Sequence, residues 1–209
     1  MPKFCSLPPR GLAAALALIT VLGSAGWAQQ PAPVRIRGTI EAVDGAMLMI
    51  KSREGADMKV RMTDNVAVFG VAKTALSEIK EGSYIGVTAM PEPDGTQRAV
   101  AVHIFPENQR GAAEGFRPWD QRPGSTMTNA TVAQTVKGTD GQHILVRYKD
   151  GEKNVVVPEG TPVVTFVAGD KSEVKPGAKV IIFGATRKDD GTLETARVNV
   201  GRDGITPPM

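Results

Sequence analysis

The chain is short of several residue types that would have given its chemistry away. It holds one cysteine, Cys5, two histidines, His103 and His143, and only 5% aromatic residues. Cys5 lies ahead of the longest apolar run and is placed to leave with it. What remains has no thiol, so disulfides and cysteine metal sites are excluded and stability rests on packing. Two histidines distant in sequence, with no G-x-S-x-G or H-E-x-x-H pattern, give no nucleophile–base or zinc constellation. They read as ordinary strand residues. The carboxylates fall in turns, at Asp94, Asp140, Asp150 and Asp189-Asp190, where an Asp side chain helps to make the turn. No catalytic residue, no bound metal and no cofactor motif is expected.

Long apolar runs are also missing. The longest uncharged stretch, GLAAALALITVLG from Gly11 to Gly23, is about 13 residues, where a bilayer span needs roughly 20. Preceded by Lys3 and Arg10 and followed by SAGWA, it reads as the core of a secretory signal over 1–28, with Gly26 and Ala28 as the small residues before the cut. The expected mature protein is periplasmic or secreted, without membrane insertion after cleavage. Removing that segment takes two of the 25 Lys and Arg and none of the 22 Asp and Glu. A charge balance so even provides no concentrated basic stripe for nucleic acid. Strand pairs such as Arg35 with Arg37, or Lys59 with Arg61, put charge on a solvent face without the aromatic platforms that single strands stack on.

What is present is a repeat. SEIKEGSYIGVTAMPEPDGTQRAVAVHI, Ser77 to Ile104, lines up with SEVKPGAKVIIFGATRKDDGTLETARVNV, Ser172 to Val200, with one residue inserted before the second Asp-Gly-Thr. In the first copy Val34, Ile36, Ile40 and Ala42 alternate with polar residues, and Asp44-Gly45 supplies a hairpin turn. AMLMIKS and DMKVRMT follow as strands. TALSEIK then predicts a short helix capped by Thr74, with Leu76 and Ile79 inward, and SYIGVTAM with TQRAVAVHI forms a second hairpin. The second copy repeats the order. Strand, strand, strand, helix, strand, strand is the order of an OB-type five-stranded barrel. The expectation is an all-β protein of two tandem OB-like barrels, at 34–105 and 128–201, each with one short helix, joined by an aromatic linker at 106–127 and ending in a loose tail at 202–209. A two-sheet sandwich built from both copies is the alternative.

The pattern G-T-I-x-A-V-D-G (Gly38 to Gly45), with L-S-E-I-K-E-G (Leu76 to Gly82) and D-G-T (Asp94 to Thr96), resembles a widespread secreted bacterial small-barrel domain of unknown function. The second copy has V-K-G-T-D-G in place of the early V-D-G turn. The resemblance implies location and fold, and it brings no activity or catalytic residue with it.

Two features suggest binding. Met47 and Met49 share a face of one strand, and Met58 and Met62 a face of the next. A register setting Met47 opposite Met62 would gather thioethers suited to Cu(I), in a compartment and fold similar to the periplasmic copper-carrying OB barrels of the cation-efflux type. Those barrels add a histidine and a tryptophan that this hairpin lacks, and methionine is a common core filler. The second feature is the 22-residue linker, Pro106 to Met127, too long for a plain connection. It contains Phe116 and Trp119, the latter the only tryptophan outside the signal. An indole buries a large apolar area, so Phe116 and Trp119 are expected to pin the linker against one barrel or into the cleft between them. Arg117 and Asp120 would pair with each other or with that surface. The functional expectation is a non-catalytic binding or interaction module of the cell envelope whose site is Phe116, Arg117, Trp119 and Asp120, and whose partner is a protein or envelope component. The export expectation is checked by N-terminal sequencing of the protein recovered from the envelope: the chain should begin at Gln29, and an intact Met1 start would count against it.

Overall fold

Alternation in the sequence becomes twelve strands in the computed structural model, which describes residues 33–209. The expected signal segment at 1–28 lies outside the described residues. The strands are β1 (Val34–Asp44), β2 (Met47–Ser52), β3 (Asp57–Lys73), β4 (Tyr84–Pro91), β5 (Gln97–Ile104), β6 (Gly115–Pro118), β7 (Thr126–Lys137), β8 (Gln142–Tyr148), β9 (Gly151–Val157), β10 (Val163–Ala168), β11 (Lys179–Arg187) and β12 (Leu193–Gly201). In β1, Ile36 and Ile40 are buried while Arg35 and Arg37 face outward, and Asp44-Gly45 turns the chain into β2 with Gly45 at φ +55°.

The protein is all-β and its pairings close five-stranded barrels. The barrels are not the contiguous units at 34–105 and 128–201 that the repeat predicts. One ring runs β1, β2, β3, β12, β11 and back to β1. The other runs β7, β8, β9, β5, β4 and back to β7. Each barrel therefore takes three strands from one copy and its closing hairpin from the other. The bonds that seat the hairpins repeat this exchange: Gly177 N–H donates to Ile40 O at 2.8 Å in the first barrel, and Gly82 N–H to Val132 O at 2.9 Å in the second. Both glycines hold positive φ, +86° and +83°, which a side chain would resist.

The physical reason lies in β3. Its first residues pair with β2, but Phe69 to Lys73 run on to pair with β10, so the chain leaves the first barrel on the side facing the second. The connection after Lys73 then delivers β4 and β5 to the nearer ring. Because the two hairpins carry matching residues, each fills the other's place.

The expected helices are single 3₁₀ turns, Leu76–Glu78 and Lys171–Glu173. The first has Ala75 at its N-cap and no side-chain cap, in place of Thr74. A segment with only Leu76 and Ile79 to bury does not offset the cost of nucleating an α-helix. The second carries a capping box between Asp170 and Glu173. Each turn plugs the barrel that its following hairpin enters, Ile79 the second and Val174 the first.

Two cores fill the barrels, one around Ile40, Leu48, Val60 and Ile182, the other around Ile85, Val87, Ile144 and Val155. A third cluster, Val71, Val164, Phe166, Ile181 and Met209, lies between them. Residues 202–209 are thus no loose tail. Met209 is fully buried in that cluster and its backbone oxygen accepts from Arg37 Nε.

Hairpin exchange is testable with an engineered disulfide, since the described residues contain no cysteine. Thr39 and Lys179 are register partners, with Lys179 Nζ 2.8 Å from Thr39 Oγ1. Thr39→Cys with Lys179→Cys should oxidise to a cross-link on a non-reducing gel, whereas Thr39→Cys with Tyr84→Cys, the contiguous alternative, should stay reduced. The opposite pattern would restore contiguous barrels.

Candidate binding cavity between the barrels

The outer faces of the barrels meet along β3, β10 and β5, and strand alternation decides which side chains stand there. On the second barrel these are His103 and Phe105 from β5 and its exit, Gly86 from β4, and Met127 and Asn129 from β7. Gly86 is the register partner of both His103 and Asn129, and a Cβ there would lie 1.9 Å from His103 Cε1. The missing side chain is what lets the imidazole lie over β4. On the first barrel β1 presents Arg35, β11 presents Phe183 and β12 presents Arg197. Above them runs the linker, whose β6 pairs with β7. Tyr84 Oη and Asn129 Nδ2 both donate to Ala112 O, at 3.1 and 3.0 Å, and tie it down.

Between these parts is a cavity of about 310 Å³, bounded by Arg35, His103, Phe105, Gln109, Arg117, Trp119, Met127, Asn129, Phe166 and Arg197 among others. Of the four residues expected from sequence, Arg117 and Trp119 reach it. Asp120 does not. It sits outside, bridging Arg35 Nη1 and Arg37 Nη2 at 2.7 Å each. Phe116 points the other way, 39% exposed, with Lys153 Nζ 4.4 Å from its ring centroid. Arg117 and Asp120 therefore do not pair: Arg117 Nη1 donates to Ala113 O at 2.8 Å. Trp119 does pin the linker, with the Arg35 guanidinium stacked 3.7 Å from its ring centroid.

The cavity is lined by cationic side chains and by no carboxylate. Burial, then the neighbouring Arg35 charge, lowers the Arg117 pKa, and burial lowers that of Arg197. Burial first, then Arg117 and Arg197, pushes His103 down to about 3, so its ring is neutral at physiological pH. Five buried polar atoms of the lining residues have no hydrogen-bond partner: Arg35 Nε, His103 Nδ1, Gln109 Nε2, Trp119 Nε1 and Asn129 Oδ1. Native interiors leave few such groups unmade. Their concentration on residues that line one space makes that space the candidate binding site.

Sequence reading missed His103, Asn129, Gln109, Arg35 and Arg197 as a set. One signal was available. His103 and Asn199 occupy the same place in the two copies, each a polar residue flanked by apolar neighbours in VHI and VNV. Both are buried on the outer faces that meet, Asn199 holding Ile181 O at 2.9 Å.

The methionines separate. Met47 is opposite Arg61 and Met49 opposite Lys59, while Ile50 is opposite Met58. Met58 and Met62 therefore belong to the first barrel's core, and Met47 and Met49 to its outer surface. The register that would face Met47 with Met62 is off by one residue, which reverses a side chain's face. The four thioethers form no common Cu(I) site. His143 makes a 2.7 Å contact with Asp140 in the exposed turn before β8, at the rim of an open groove of about 680 Å³. Thr96 provides the only hydroxyl in that groove, and neither serine nor cysteine lines it.

Comparison with protein families, with curated proteins and with solved structures finds no match to this chain.

The clasp at Asp120 has a pH signature. Burial alone would raise its carboxyl, but hydrogen bonds from Arg37 and Arg35 prevail and hold it down at about 2. A folded pKa below the unfolded 3.8 means the stabilisation is complete above about pH 4 and disappears as pH falls through about 2. The side chain is 51% exposed, so screening reduces the effect to about 1 kcal/mol. Asp120→Asn should lower urea-unfolding stability by that amount at neutral pH, with the gap to wild type closing near pH 2. A gap unchanged across that range would contradict the assignment.

Proposed function

We propose that this protein is an exported, non-catalytic binding module of the bacterial cell envelope that takes a small molecule in the cavity between its barrels. The single observation that carries the reading is the set of partnerless buried polar atoms on residues that line a space of about 310 Å³. That volume is at the lower end for small-molecule sites, and the wall combines aromatic and aliphatic side chains with a few polar groups, as such sites do. The signal-like start supports export. Duplication of one small-barrel unit, of the secreted bacterial kind its motifs resemble, accounts for two equivalent barrels and for hairpins that interchange. Such a module holds its ligand for a protein or envelope component, with Phe116 on the outside of the linker as the contact. The arrangement lacks what catalysis needs: His103 is neutral and without a carboxylate partner, and no nucleophile stands beside it.

Native mass spectrometry of the protein purified from its own envelope tests the reading. Wild type should carry a small-molecule adduct that is released on denaturation. Ala112→Phe, which fills the cavity from its linker side, should lose the adduct and keep a cooperative thermal transition. Wild type that is folded and free of any adduct or extractable molecule would overturn the proposal.

A further inference from the structure

Resting on the cavity reading, we infer that the ligand is a small organic anion: a carboxylate head held by the arginines and free N–H donors, on an apolar body of about one ring that fits among the phenylalanines.

The sign of the charge comes first. Arg35, Arg117 and Arg197 all line the cavity, and no aspartate or glutamate does. Asp120 neutralises part of Arg35 from outside, on a half-exposed carboxylate. Arg197 spends two bonds on neutral groups, Nε to Asn199 Oδ1 at 3.0 Å and Nη2 to Gln109 Oε1 at 3.1 Å. Arg117 gives one to a backbone oxygen. Neither has an anionic partner, and Arg197 Cζ has the Phe69 ring, 4.0 Å away, to face its charge, so a counter-ion would offset the partial desolvation of both groups. His103 cannot serve as that counter-charge, and as a neutral ring it adds no positive charge.

The donors make the second, independent argument. Trp119 Nε1 and Arg35 Nε can only donate. Gln109 has its amide fixed, because its oxygen is taken by Arg197, so Nε2 is the atom left over. Three donors on residues that line the cavity are therefore buried without an acceptor. Water satisfies a donor, but it leaves the arginine charges uncompensated. An oxygen acceptor with full negative charge answers both, and the planar fork of Arg suits a carboxylate.

The walls set the body. Phe105, Phe166 and Phe183 line the cavity with Met127, and Phe166 and Phe183 meet edge to face at 6.3 Å. A free inorganic ion would leave this apolar surface uncovered, and a long chain would exceed about 310 Å³.

Phenylacetate, phenylacetamide, phenethylamine and inorganic phosphate are the probes, read by fluorescence of Trp119, the one tryptophan of the described residues. Phenylacetate should bind saturably and at least about tenfold tighter than the isosteric neutral amide, a ratio expected when charged donors lose their acceptor. Phenethylamine should not bind. Gln109→Glu, which puts a carboxylate into the cavity at nearly constant shape, and Arg117→Gln should each weaken phenylacetate by about tenfold or more and leave the amide unchanged. Arg117→Lys should recover part of the loss, and thermal melts monitor the fold of each variant. Equal affinity for acid and amide, or an unaffected Gln109→Glu, overturns the anionic head while leaving the cavity reading intact. Phosphate competing as well as phenylacetate overturns the apolar body. Binding of none of the probes overturns the inference as a whole, and the adduct on the native protein then decides the cavity reading separately.

Discussion

Backbone hydrogen bonding through β10 governs the rest of this molecule. That strand pairs antiparallel with the end of β3 in the first barrel and parallel with the end of β5 in the second. Two closed sheets are thereby fused into one network, and their mutual pose is set by ladder geometry rather than by side-chain docking. Trp119 holds the linker to Arg35, but the barrels would share an edge without it. The exchange of hairpins adds a second tie, since each ring is closed by strands from the other half of the chain. Parallel contacts such as Leu193 to Val60 link residues far apart in sequence, a topology that folds slowly for the stability it returns.

A rigid junction of two convex surfaces explains why there is a cavity at all. Barrels touch along a line and diverge to either side of it. Along the line Val71, Val164, Phe166 and Ile181 pack as a core. Beside it the gap is roofed by the linker, and residues that alternation directs outward from both barrels become the walls. Arg35, His103, Asn129 and Arg197 would be solvated on an isolated barrel. Fusion buries them with their hydrogen bonding incomplete, Arg35 Nε, His103 Nδ1 and Asn129 Oδ1 being left without partners, and that is the origin of the site's electrostatics.

Much of the fold was legible because period-two alternation and Asp-Gly turns act locally. The β1–β2 hairpin around Asp44-Gly45, and the matched hairpins after Ser77 and Ser172, are where the pattern puts them. The exchange was not legible, because residues that make two hairpins equivalent carry no information about which barrel each one closes. The helix at TALSEIK failed on length, and the methionine cluster on a one-residue register. Of the candidate site only Arg117 and Trp119 were found, since they stand out in a proline- and glycine-rich segment. Its strand residues, at 34–37, 103 and 197, are brought together by tertiary pairing alone. A buried histidine in a strand looks the same in sequence whether its ring meets a core or a ligand.

The order in which strands enter the first barrel has a consequence for biogenesis. Its wall is completed by β12, which ends at Gly201, although β1 begins at Val34. A chain made from its N-terminal end therefore cannot finish this barrel until nearly all of it is available. The second ring, whose strands all lie between Tyr84 and Val157, has its full complement earlier, so the ring that the chain starts first is the one it completes last.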